Sequence, residues 1–75
     1  MFEKIKELII NYVDVEPEQI IPESKFIDDL GFNSYDFMSL LGDIETELDV
    51  MVDESEVLNI RTVGDAVEYL EKISE

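Results

Sequence analysis

The chain has no cysteine and no histidine. The first absence removes disulfides, thiolate metal sites and cysteine nucleophiles. The second removes the usual general base and the commonest zinc ligand. Most self-contained catalytic constellations are therefore out of reach. Positive charge is also scarce: five Lys and Arg stand against twenty Asp and Glu, a net charge of −15 and a pI near 4.1. Nucleic-acid affinity comes largely from Lys and Arg on phosphates, so that class of partner is excluded. An anionic membrane surface is excluded on the same ground. No apolar run approaches the ~20 residues of a membrane span. The start, Met1-Phe2-Glu3-Lys4-Ile5-Lys6, lacks the basic and apolar regions of a signal peptide, which makes a soluble, cytoplasmic chain the expectation.

What is present fits one small domain over residues 1–75. Hydrophobic residues are 45%, too many for a disordered chain. Ile5, Leu8, Ile9 and Tyr12 recur at helical spacing and predict a first helix over Phe2 to Val13. Residues 14 to 33 read as a long loop punctuated by Pro17 and Pro22 and closed by Gly31. That loop carries Val15, Ile20, Ile21, Phe26, Ile27, Leu30 and Phe32, so it is expected to pack on the helices rather than lie in solvent. A second helix is predicted from Ser34, read as its N-cap, to about Leu48, with Phe37, Leu40, Leu41, Ile44 and Leu48 as its buried stripe. Gly42 weakens that helix by about 1 kcal/mol relative to Ala. Asp53 with Glu56 reads as a capping box opening a short helix that turns Val57 and Leu58 inward. Thr62 with Asp65 reads as a second box, opening a last helix in which Val63, Ala66, Val67, Leu70 and Ile73 keep helical spacing. The predicted fold is an all-α four-helix bundle with three main helices, one short helix and a long first loop. Its expected core is the stripe of helix two with Phe2, Ile5, Leu8, Ile9, Leu58, Val63, Val67 and Leu70.

One stretch says more than fold: Phe26-Ile27-Asp28-Asp29-Leu30-Gly31-Phe32-Asn33-Ser34-Tyr35-Asp36-Phe37. It presents a serine hydroxyl at a loop–helix junction, where unpaired backbone N–H groups and the helix dipole favour an anion. Taken alone, Ser34 reads first as a helix cap. Over essentially its whole length, however, the chain resembles the acyl carrier protein family. The matching stretches are Ile21-Pro22-Glu23-Ser24-Lys25-Phe26, Asp28-Asp29-Leu30-Gly31, Asn33-Ser34-Tyr35 and Ile60-Arg61-Thr62-Val63-Gly64-Asp65. The resemblance implies that Ser34 carries 4′-phosphopantetheine, transferred from coenzyme A by a phosphopantetheinyl transferase. The arm's thiol would hold acyl groups as thioesters, which explains how a cysteine-free chain takes part in thiol chemistry.

Within that resemblance, Asn33 stands where the family usually has Asp and Tyr35 where it usually has Leu. Ser39 falls at a usual Glu, and Gly42 at a usual exposed apolar residue. Asn keeps the size and the hydrogen-bonding oxygen of Asp and loses its charge. Helix two is the family's recognition helix, so Tyr35, Asp36, Met38, Ser39, Asp43 and Glu45 become the expected contacts for acyl-loading and acyl-transfer or synthase enzymes with basic docking patches. Without the resemblance, the acidic residues would be a solvated face, and Tyr35 and Met38 the edge of the core. Asp28 and Asp29 read as loop residues rather than an acid–base pair, and no calcium-loop pattern occurs. The expectation is a monomeric carrier, not an enzyme, without a metal, in fatty-acid or related biosynthesis. A specialised polyketide, peptidyl or D-alanyl carrier, or an unmodified acidic interaction module, is the alternative.

Overall fold

The computed structural model describes residues 1–74. Four α-helices succeed one another: α1 Phe2–Ile9, α2 Ser34–Leu48, α3 Glu54–Val57 and α4 Val63–Ile73. One 3-10 turn, Pro17–Gln19, interrupts the long first connection. Against expectation, α1 stops four residues short of Val13. Beyond Ile9 the backbone tightens, with Asn11 N–H bonding Leu8 O and Tyr12 N–H bonding Ile9 O, the i→i−3 pattern of a closing turn.

The core joins one face of each long helix. Ile5, Leu8 and Ile9 of α1 meet Leu40, Leu41 and Ile44 of α2 and Val63, Ala66 and Leu70 of α4, all buried. The predicted stripes are therefore the buried faces, although Phe2, Phe37, Leu48 and Val67 are only half-buried against them. Leu58 is a correction. It is 81% exposed, because α3 spans a single turn and points Leu58 outward while Val57 and Ile60 face the core. The capping box at Asp53 is also not formed. The Asp53 carboxylate instead accepts from the Ser55 N–H at 2.9 Å and the Ser55 hydroxyl at 2.8 Å, and these bonds hold its pKa below the ordinary value. The box at Thr62 and Asp65 is present in both directions.

The long connection belongs to the core, as its composition predicts. Ile20, Phe26, Leu30 and Phe32 are buried, whereas Ile21 and Ile27 face solvent. Phe26 packs edge-on against Phe32 at 5.6 Å and lies tilted against Phe37 of α2 at 5.1 Å. The connection is tied to the start of α4 by backbone bonds: Phe26 N–H to Arg61 O, Val63 N–H to Ser24 O and Gly64 N–H to Pro22 O. An isolated antiparallel bridge pairs Lys25 with Thr62. Gly31, at φ +80°, makes the left-handed turn that lets Phe32 N–H return to Phe26 O. The chain then leaves this anchored turn directly into α2.

Candidate functional site at the start of α2

The structure assigns the cap to Asn33, not Ser34. Asn33 has an extended backbone, and its Oδ1 accepts the Asp36 N–H at 2.7 Å. Asn caps at least as well as Ser, and it comes one residue earlier in the chain. Ser34 is thereby the first residue inside the helix, exposed, with its hydroxyl left out of the capping. The signal was in the sequence: Asn33 with Asp36 has the cap-x-x-acid spacing, overlooked beside a serine.

This junction suits a phosphate-linked group. The Asn33 side chain takes one of the first helical N–H groups, and the N–H groups of Ser34 and Tyr35 stay at the free end of the helix, where an anion is stabilised. The anchored turn before it, held by the Gly31 geometry and the Phe26–Phe32 pair, fixes the direction in which Ser34 is presented.

The other expected contact residues divide between two adjacent stripes of α2. Tyr35, Met38, Gly42 and Glu45 follow one another at steps of three and four, and Asp36, Ser39 and Asp43 do the same beside them. Tyr35 is 79% exposed and Met38 51%. Asp36, Ser39 and Glu45 are half-buried. Two carboxylates also serve the fold. The Glu45 carboxylate accepts the Val52 N–H at 3.0 Å and so holds the α2–α3 connection. Asp43 accepts a hydrogen bond from the Tyr12 hydroxyl, which ties the turn after α1 to α2. That bond, with the nearby carboxylate charge, pushes the Tyr12 pKa from 10.0 up to about 12.

Residues 3–70 match the phosphopantetheine attachment site family, nearly the entire chain. The chain belongs to the acyl carrier protein family. An acyl carrier protein of Thermotoga maritima is 43% identical over 72 residues, spanning 96% of this chain and 89% of that one. An acyl carrier protein of Clostridium perfringens is 40% identical over 75 residues, 100% and 99% of the two chains. The structure of an acyl carrier protein from Enterococcus faecalis superposes with a TM-score of 0.83 at 28% identity, covering 96% of this chain and 91% of the other. The helical bundle expected from the sequence is therefore the acyl carrier fold. The protein is a carrier rather than a catalyst. Its group is 4′-phosphopantetheine, and it works with transferase and synthase enzymes. Among the described residues no helix is long and apolar enough to cross a membrane.

Proposed function

We propose that Ser34 is the residue that carries 4′-phosphopantetheine, and that this single-domain carrier, residues 1–75, works as a monomer in the cytoplasm in fatty-acid or related biosynthesis. One observation carries the site assignment. Ser34 is an exposed serine at the first position of α2, and its hydroxyl is freed because Asn33 makes the cap bond. When bound, the arm supplies the thiol that holds acyl groups as thioesters. The chain's own contribution is positional. The anchored turn presents the hydroxyl, and the free N–H groups favour the phosphodiester charge.

Docking is proposed for the same helix. From Phe26 through Ile60 there is no basic residue, while ten Asp and Glu lie in that span. A transferase or synthase with a basic patch is attracted to this side of the molecule. Tyr35 and Met38 offer apolar contact beside Ser34. Asp36, Ser39, Asp43 and Glu45 provide the polar surroundings, with Asp43 and Glu45 already oriented by Tyr12 and Val52. Asn33 and Tyr35 flank the modified serine and are read by the transferase.

Intact mass measurement tests the assignment. The purified chain is incubated with coenzyme A and a broad-specificity phosphopantetheinyl transferase, with Ser34→Ala alongside. A single gain of the phosphopantetheine mass, absent from the variant, is expected. A gain that persists in Ser34→Ala refutes the site.

A further inference from the structure

Tyr12, in the turn that closes α1, reaches two other elements at once. Its hydroxyl donates to the Asp43 carboxylate of α2, and its ring lies tilted against Phe32 at 5.9 Å. Phe32 stands two positions before Ser34. From Phe32 the ring contacts continue to Phe26 at 5.6 Å, and from Phe26 to Phe37 at 5.1 Å, which is back on α2. The string of contacts closes on itself: Tyr12, Phe32, Phe26, Phe37 and, further along the same helix, Asp43. The hydroxyl bond closes the ring firmly enough to push the Tyr12 pKa up to about 12.

Two grips on one helix set its tilt as well as its position. At ~1.5 Å per residue, Phe37 and Asp43 hold α2 at points ~9 Å apart, and Ser34 lies ~4.5 Å before the first of them. With Phe37 as the pivot, a displacement of the Asp43 end passes to Ser34 at about half its size. Breaking the hydroxyl bond lets the two side chains part from ~2.7 Å to a van der Waals separation of ~3.5–4 Å, so Ser34 swings by ~0.5 Å. Phosphoryl transfer to a serine oxygen is sensitive on that scale, since ~1 Å of misplacement can cost ~100-fold in rate.

We infer that Tyr12 is a positioning residue for the modification of Ser34: its hydroxyl on Asp43 and its ring on Phe32 set the tilt at which α2 presents the serine to the transferase. The inference rests on Ser34 as the attachment point. Tyr12 acts through α2 and the anchored turn and takes no part in the transfer itself. What it needs from Asp43 is an oxygen held in place, not a free charge.

The test follows single-turnover modification with saturating coenzyme A and an excess of a broad-specificity phosphopantetheinyl transferase, which separates docking from the transfer step. Circular dichroism first fixes a temperature at which every variant is folded. Tyr12→Phe keeps the ring on Phe32 and loses the hydroxyl. It should lower the maximal rate roughly three- to tenfold. The half-saturating transferase concentration should stay within about twofold of the parent, because docking is untouched. Asp43→Ala should behave alike, and the double variant should be no slower than either single one, since the two side chains act as a unit. Asp43→Asn keeps an oxygen to accept the hydroxyl and drops the charge, so it should restore most of the rate. A parent-like maximal rate in Tyr12→Phe overturns the inference, whatever its Tm, and leaves the bond a purely structural one. A rate in Asp43→Asn as low as in Asp43→Ala overturns it too, because the transferase then reads the charge. A mass gain that fails in the parent or persists in Ser34→Ala strikes the Ser34 assignment instead. The brace is then decided without the transferase, from ¹⁵N order parameters of the Asn33, Ser34, Tyr35 and Asp36 amides. These should lie near ~0.85 in the parent and fall toward ~0.6 in Tyr12→Phe, and unchanged values refute the brace.

Discussion

The identity of the helix cap makes a sharp prediction, because two neighbouring residues compete for the role. If Ser34 were the cap of α2, truncating it would remove a bond worth typically ~1 kcal/mol. The structure puts that bond on Asn33, whose Oδ1 lies 2.7 Å from the Asp36 nitrogen. Asn33→Ala should therefore lose ~1 kcal/mol, within a range of ~0.5–2. For a domain of this size that lowers the Tm by ~4–8 °C. Ser34→Ala should stay within ~0.5 kcal/mol of the parent, since Ala is the better residue inside a helix and no cap is lost. Asn33→Asp keeps the acceptor and adds negative charge at the helix N-terminus, so it should match or exceed the parent. The assay is thermal unfolding followed by far-ultraviolet circular dichroism, with all four proteins unmodified and in one buffer. A Ser34→Ala protein that melts as low as Asn33→Ala refutes the assignment. It would also undo the argument that the Ser34 hydroxyl is free for modification.

Two further outcomes follow from the charges. Tyr12 should titrate near pH 12 in an ultraviolet absorbance titration, and Asp43→Asn should bring it back toward 10; a Tyr12 step already at 10 in the parent refutes the bond. The sign is that of a raised pKa on an acid that is neutral when protonated: the hydrogen bond's contribution is complete below about pH 10 and is lost as pH rises through about 12. Sodium chloride should raise the Tm, because the molecule measures 29 × 22 × 20 Å and at ~0.01 M salt its carboxylates all repel within one ~30 Å Debye length. With one ion pair among the described residues, screening removes little attraction in return, and a Tm that does not move between low and high salt contradicts this account.

Where the sequence was readable, the periodicity was long enough to carry the signal. The fifteen residues of α2 run from Ser34 to Leu48, the span expected, and Thr62 with Asp65 forms the box their spacing predicts. Short elements escaped for the opposite reason. Four residues of α3 complete barely one turn, so a one-residue difference in phase decides whether Leu58 is buried, and it is exposed. The last turn of α1 looked helical because Tyr12 keeps the stripe, yet its backbone tightens into i→i−3 bonds that side-chain spacing does not register. At the site, family resemblance singled out Ser34 as a candidate and Asn33 as its flanking residue, but not that Asn33 makes the cap bond and leaves the Ser34 hydroxyl free. The bridge of Lys25 with Thr62 had no local signal at all. Its members are 37 positions apart in sequence and meet only where the long connection runs against the start of α4.

The distribution of charge bears on the proposed docking. The cation-free span from Phe26 to Ile60 carries ten Asp and Glu and includes all of α2. If enzymes dock there through basic patches, their encounter with the carrier is steered by charge and fades with salt. The initial rate of transferase modification should therefore fall between ~0.01 M and ~0.15 M salt, as the Debye length shrinks from ~30 to ~8 Å. An initial rate that does not change with salt would refute charge-steered docking.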